Sequence, residues 1–259
     1  MAFVRPGSAI VIIAATAALN ACGGDSPDYV SSAPIVNAAQ KTAAAGSAKA
    51  AVDVAWTESN GRHVELTGDG VVDIAGREGR LALDLSGVPG ARGTVEQIFD
   101  GSVVWMHIPG FALPRGKKWI RIDVDKASKD VGGDVGSFPQ AASDPASALG
   151  SMRSATQVED EGGDEVRGVP TTHYSARVTE ETENLVDLLG HSQLASEVWV
   201  DHGGMIRRTL LKMPLQIPGS GLVDMEFDYE LYDFGVNVDV APPPAEQVIE
   251  ASELQKQRR

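Results

Sequence analysis

Few side chains in this 259-residue sequence are of the kinds that carry chemistry, and their spacing excludes more than it supports. His63, His107, His173, His191 and His202 form no metal-binding pair of the H-E-x-x-H kind. No G-x-S-x-G elbow presents a serine nucleophile. The histidines are expected at turns and on the surface: Asp201-His202 precedes Gly203-Gly204, and His173 falls within a strand pattern. Asp123 and Asp125 open like a calcium loop, but Ala127 and Lys129 break the ligand series and the sixth position is not glycine. The glycine-rich run Val131 to Gly136 lacks the Lys-Ser/Thr of a phosphate loop and reads as a flexible connection. No catalytic group, metal site or cofactor is expected. One sulfur remains, that of Cys22, the only cysteine; it cannot form an internal disulfide or, alone, a cysteine-ligated zinc site.

The context of Cys22 decides how the rest is read. A short start carrying Arg5 leads into the apolar run Ala9 to Leu19, and Leu19-Asn20-Ala21-Cys22 follows. A basic start, a short apolar core and a small residue at the cut site make a secretory signal peptide, expected over residues 1–21. The apolar run is shorter than the roughly 20 residues a spanning helix needs. Leucine, two residues, then cysteine resembles the lipobox of bacterial lipoproteins, in which the thiol is diacylated (palmitate is a typical chain) and the cysteine becomes the first mature residue. The resemblance implies lipidation at Cys22 and an anchor on the extracytoplasmic face of the cell membrane. An ordinary signal peptide with an incidental cysteine is the alternative.

Charge bounds the partners. The net charge of −14 argues against nucleic acid, whose phosphates need a basic footprint. It also disfavours broad adhesion to anionic lipid, so membrane attachment is expected to come from acyl chains, at about 0.8 kcal/mol per buried CH₂. Arg115, Lys117, Lys118 and Arg121 around Trp119 form a basic island in this acidic chain. It reads first as a hairpin loop with packed side-chain stems, and second as a contact for anionic headgroups.

The positioning elements follow from periodicity. Gly23 to Ser32 is small and polar, so residues 22–32 are expected to be a flexible tether. Ala33 to Ala45 predicts a helix, capped by Ser32, with Pro34 in its first turn and Gly46 at its end. Period-two alternation then predicts strands at Val52–Thr57, His63–Ile74 (bulged at Gly68 or Gly70), Arg80–Ser86, Thr94–Phe99, Val103–Ile108 and Trp119–Val124. Asn60-Gly61 and Asp100-Gly101 are hairpin turns. These six strands make an antiparallel meander.

Lys126 to Ser143, rich in Gly, Ser, Ala and Asp, reads as a loop or lid. Asp144 caps a short helix ending near Met152. Strands resume at Thr156–Glu159 and Thr171–Val178, Thr182–Leu189 reads as a helix, and Glu197–Asp201, Ile206–Met213 and Leu222–Phe234 complete the sheet. The two halves look loosely alike. Residues 246–259 read as a polar tail, with a helix as one reading of it. The fold class is α+β: a long, curved antiparallel sheet with a few helices packed on one face.

Several stretches in order resemble the actinobacterial LppX/LprG-like lipoproteins, whose fold is similar to that of the periplasmic lipoprotein carrier LolA. These are the lipobox, the alanine-rich first helix, Asp100-Gly101-Ser102-Val103-Val104-Trp105 and Lys118-Trp119-Ile120-Arg121-Ile122-Asp123. Gly168-Val169-Pro170-Thr171-Thr172-His173-Tyr174, Val198-Trp199-Val200-Asp201, Gly204-Met205-Ile206-Arg207-Arg208 and Tyr232-Asp233-Phe234-Gly235-Val236 follow. The resemblance implies a half-barrel over residues 33–245 enclosing an apolar pocket for acyl chains, and a role in binding or carrying lipid or lipoglycan in the cell envelope. It supplies no catalytic motif.

From the residues themselves, Val52, Val54, Trp56, Leu81, Leu83, Leu85, Phe227, Tyr229 and Leu231 form the inward-facing set. They line a ligand pocket or fill a core, and patterning is the same for both. A non-enzymatic sensor or scaffold binding an envelope protein partner is the alternative to lipid carriage.

Overall fold

Two antiparallel meanders are joined edge to edge in an open, curved twelve-stranded sheet, in the order β12-β6-β5-β4-β3-β2-β1-β11-β10-β9-β8-β7. The structure, a computed structural model, describes residues 29–58, 61–114, 116–124, 126, 144–179, 193–217 and 221–258. Cys22 and the signal peptide, the tether up to residue 28, Ser59-Asn60, residues 127–143 of the glycine-rich segment and the Thr182–Leu189 helix lie outside the described residues.

The first meander comprises β1 (Ser47–Thr57), β2 (His63–Asp73), β3 (Glu78–Asp84), β4 (Thr94–Asp100), β5 (Val103–His107) and β6 (Trp119–Asp123). The second comprises β7 (Thr156–Val166), β8 (Val169–Thr179), β9 (Gln193–Asp201), β10 (Ile206–Ile217) and β11 (Gly221–Tyr232). Each meander is preceded by a helix, α1 (Ala33–Ala44) or α2 (Pro145–Ser151). The β1–β11 pairing joins the two, with Val54 opposite Phe227 and Val52 opposite Tyr229.

α1 buries Ile35, Ala38, Ala39 and Thr42, one stripe at helical spacing. The expected Ser32 cap is not made; the Ser31 hydroxyl instead accepts from the Ala33 N–H. The helix ends where Gly46 adopts φ +84°, a conformation that costs glycine little. The buried Thr42 hydroxyl accepts the Ile206 N–H at 2.8 Å, which ties α1 to the start of β10.

α2 begins as its sequence demands. Asp144 accepts the Ser147 N–H and the Ser147 hydroxyl, each at 2.7 Å. Burial pushes the Asp144 carboxyl up from its ordinary value, against these bonds and the nearby Arg77 charge. A raised carboxyl pKa stabilises the fold fully only below the unfolded value near 3.8, and that contribution is lost as pH rises through the folded value. Asp144→Asn keeps an acceptor for the cap without the charge. Its stability relative to wild type is therefore expected to improve from pH 4 to pH 7 in urea titrations; an unchanged difference would refute the linkage.

Four expectations are corrected. β2 carries no bulge: Ala50 stands opposite Gly70 and Val52 opposite Gly68 in unbroken register. The glycines serve close approach instead, because a Cβ on Gly68 would lie 2.3 Å from the Ala82 carbonyl oxygen. Leu85 belongs to a 3-10 turn, Leu85–Gly87, not to β3, yet its side chain is buried with the others. β7 runs on to Val166, well past Glu159, through an acidic stretch with no apolar alternation. As the edge strand it has one open side, and charge there discourages pairing with other chains. The expected polar tail contributes a strand, β12 (Val248–Glu250), parallel to β6, with Ile249 buried opposite Ile120, before helix α3 (Ala251–Arg258).

Candidate functional site

Alternation along every strand of the first meander and along β9 to β11 sends one set of side chains to the same face, and these build the main apolar cluster. One cross-strand row runs Val198–Thr209–Tyr229–Val52–Gly68–Leu83–Val95. The next runs Leu231–Ala50–Gly70–Leu81–Gln97–Met106. The nine inward-facing residues singled out from sequence thus stand on one face. Val52, Val54, Leu81, Leu83, Leu85, Phe227, Tyr229 and Leu231 are buried in the cluster, and Trp56 packs against it half-buried. The Tyr229 hydroxyl is held neutral, since burial, and then the Asp144 charge, push its pKa far up.

Glycine shapes this face. Leu83, Leu81 and Phe99 lean over Gly68, Gly70 and Gly79, where a Cβ would come within 2.7, 2.9 and 2.4 Å of them. α1 contacts β9 and β10, and α2 contacts β2 and β10.

The opposite face carries a cluster that sequence reasoning missed. Trp199 is 4% exposed although its register points away from the main core. His173 stacks on its ring at 4.3 Å and 3°, and the Arg208 guanidinium lies 4.4 Å from the ring centroid. Its indole N–H donates to Asp164 at 2.8 Å, and Val166 and Leu210 complete a small apolar cluster around it. Asp228 accepts from Arg208 through both carboxylate oxygens.

Beside this cluster, Glu197 accepts from Lys212 at 2.9 Å and meets His173 at 3.1 Å. Burial favours the neutral acid at Glu197, but the Lys212 bond and charge outweigh it and hold the carboxyl below its usual range. Tyr29, Glu159, Ser175, Arg177 and Lys212 border a shallow groove of about 250 Å³ on this face. The available signal was positional: His173, Trp199 and Arg208 are cross-strand neighbours only once the register of three strands is known.

Asp228 sits among Glu230, Glu226 and Asp53, and burial raises its pKa despite Arg208. Arg208→Met is expected to cost about 1.5–3 kcal/mol, the range for hydrogen bonds to a charged group. Urea unfolding measures it. The loss should shrink as pH falls and Asp228 takes up a proton; a loss independent of pH would contradict this account.

Among the described residues no three His, Cys, Asp or Glu side chains are placed to hold a metal ion. No described helix is long and apolar enough to cross a membrane.

No family model and no curated protein matches the sequence. The chain is similar to solved structures of LppX/LprG-like and LolA-superfamily proteins. The lipoprotein LppX of Mycobacterium tuberculosis is 15% identical, with 80% of this chain and 99% of that chain covered and a TM-score of 0.45. LprF of Mycobacterium bovis is 12% identical, covering 83% and 97%, with a TM-score of 0.43. A LolA superfamily protein of Nitrosomonas europaea is 9% identical, covering 79% and 95%, with a TM-score of 0.35.

Proposed function

We propose that this chain is an envelope lipoprotein, acylated at Cys22 and held on the extracytoplasmic face of the cytoplasmic membrane, whose apolar sheet face binds the acyl chains of a lipid or lipoglycan. The observation that carries the reading is one apolar face that runs unbroken across both meanders, from β9 through β11, β1 and β2 to β5. α1 and α2 meet it at β2, β9 and β10. An acyl chain is chemically matched to this face, and it would enter by parting the side chains that now bury one another on it. Binding there is sequestration: the chains withdraw onto the face and a polar head stays at the rim. Residues 22–32 act as tether, and the binding domain runs from residue 33 through β12.

A partner protein that adds a strand to the open edge of β7 is the second reading. It is favoured by the Val30 N–H, which already bonds the Val158 carbonyl at 2.7 Å on that edge.

Native mass spectrometry of the full chain from its producing cells tests the first reading. Expected are a diacylglyceryl mass on the peptide beginning at Cys22 and a separate, solvent-extractable mass with CH₂ spacing. An unmodified Cys22 would overturn the anchor. A chain that carries no extractable mass and takes up no added phospholipid or glycolipid would overturn lipid binding and leave the β7 edge as the site to crosslink.

A further inference from the structure

We infer that the end of the sheet bearing the β3–β4 and β5–β6 connections rests on an anionic lipid surface. This goes beyond the proposed acylation of Cys22, on which it rests only for the nearness of the membrane.

Strand register fixes which parts share this end. Thr156, at the start of β7, lies in one cross-strand row with Arg177, Ala195, Lys212, Glu226, Ala55 and Glu65. That row crosses β1 and β2 beside their connection, and β3–β4 (residues 85–93) and β5–β6 (residues 108–118) connect at the same end. The two latter connections touch, since a Cβ on Gly93 would lie 3.1 Å from the Pro109 ring. The N-terminal segment also leaves from here, with Val30 bridged to Val158 near the start of β7. Seven residues run from Cys22 to Tyr29, a reach of at most about 25 Å.

The chemistry of this end is unlike that of the rest of the molecule. Of the three large apolar side chains exposed among the described residues, Phe111 is in the β5–β6 connection, whereas Tyr29 and Val30 lie at the far edge of the sheet beside β7. Residues 108–118 place Phe111 and Leu113 ahead of Arg115, Lys117 and Lys118 and contain no carboxylate; residues 85–93 add Arg92, also without a carboxylate.

The structure revises the basic island. Arg121 is withdrawn from it by Glu250 at 3.1 Å and Asp123 at 3.8 Å. Lys117 is half-buried and Lys118 exposed, and neither makes an ion pair among the described residues. An apolar tip followed by cations, in a chain of net −14, complements acyl chains and anionic headgroups in that order. In sequence, β8 is followed by the acidic Glu180, Glu181, Glu183 and Asp187. Seven strands separate β8 from β5 in the sheet, and salt screens charges beyond about 8 Å, so the contact is confined to the β3–β6 half.

The test uses the full chain with a nitroxide on an introduced thiol: Ala112→Cys at the tip, or Ala75→Cys in the β2–β3 turn at the opposite end. Both positions are exposed. Acylated Cys22 leaves one label per chain by mass; two labels would mean that Cys22 is free, and the series is then repeated with Cys22→Ser. Vesicles of phosphatidylcholine alone and of phosphatidylcholine with phosphatidylglycerol are compared by flotation and by the label's accessibility to oxygen.

The expected result is flotation with both vesicles, and a label at 112 that enters lipid only when phosphatidylglycerol is present. Lys117→Glu with Lys118→Glu should return it to water, and the label at 75 should stay in water throughout. Flotation with both vesicles and an aqueous label at 112 would overturn the contact and leave the anchor standing. Flotation with phosphatidylglycerol alone and the label in lipid would uphold the contact and overturn the anchor. Flotation with neither would overturn both.

Discussion

Phe227→Ala is expected to lower the free energy of unfolding by about 3–5 kcal/mol, the range for truncating a buried phenylalanine. Phe227 is 1% exposed at the junction of the two meanders, opposite Val54 on β1 and Leu211 on β10. Neither neighbour can move into the space without pulling its own strand out of register, so the cavity persists and the cost includes it. For a chain of this size the melting temperature should fall by about 2–4 °C per kcal/mol. The urea midpoint is the measurement, with the m-value unchanged. Asp224→Ala, on the exposed face of the same strand, serves as the control and should stay within about 0.5 kcal/mol of wild type. Equal losses for the two would mean that β11 does not form the centre of the core. The Phe227 variant also bears on function: an added acyl ligand that fills the cavity should recover part of the loss, as any ligand that binds only the folded state must.

Gly70→Ala is the second large effect, about 3 kcal/mol from overpacking. Its Cβ would stand 2.0 Å from the Arg80 carbonyl oxygen and 2.9 Å from the Leu81 side chain. The leucine could turn aside, but the carbonyl belongs to the backbone of β3, which pairs with β2 at this point. Relief therefore requires β2 and β3 to part. Gly163→Ala is the comparison, because nothing lies within 4 Å of its Cβ position. Thermal unfolding of the pair separates steric conflict from the general effect of removing a glycine; two equal, small changes would sink the close-approach account.

Much of the architecture was legible because it rests on local rules. Alternation in β11, where Val223, Met225, Phe227, Tyr229 and Leu231 face one way, requires a strand with one wet face. Asp144 before Pro145 starts a helix through hydrogen bonds that span only three residues. The polar stretch Glu159 to Glu165 gave no such sign, since an edge strand open on one side needs no apolar alternation to form. β12 escaped for a related reason: three residues are too short for a period, and their strand exists only because β6 offers an edge.

By itself the sequence determined the acidic composition, the single thiol in its lipobox-like setting, the Asp144-capped start of α2 and the set of residues that face inward. Each depends on composition or on neighbours a few positions apart. Tertiary structure alone decided the joining of the two meanders at β1 and β11, the stacking of His173, Trp199 and Arg208, the use of Gly68 and Gly70 for close approach, and the meeting of the β3–β4 and β5–β6 connections at one end. Those depend on register between strands far apart in the chain. A shift of one residue would have sent every side chain to the other face.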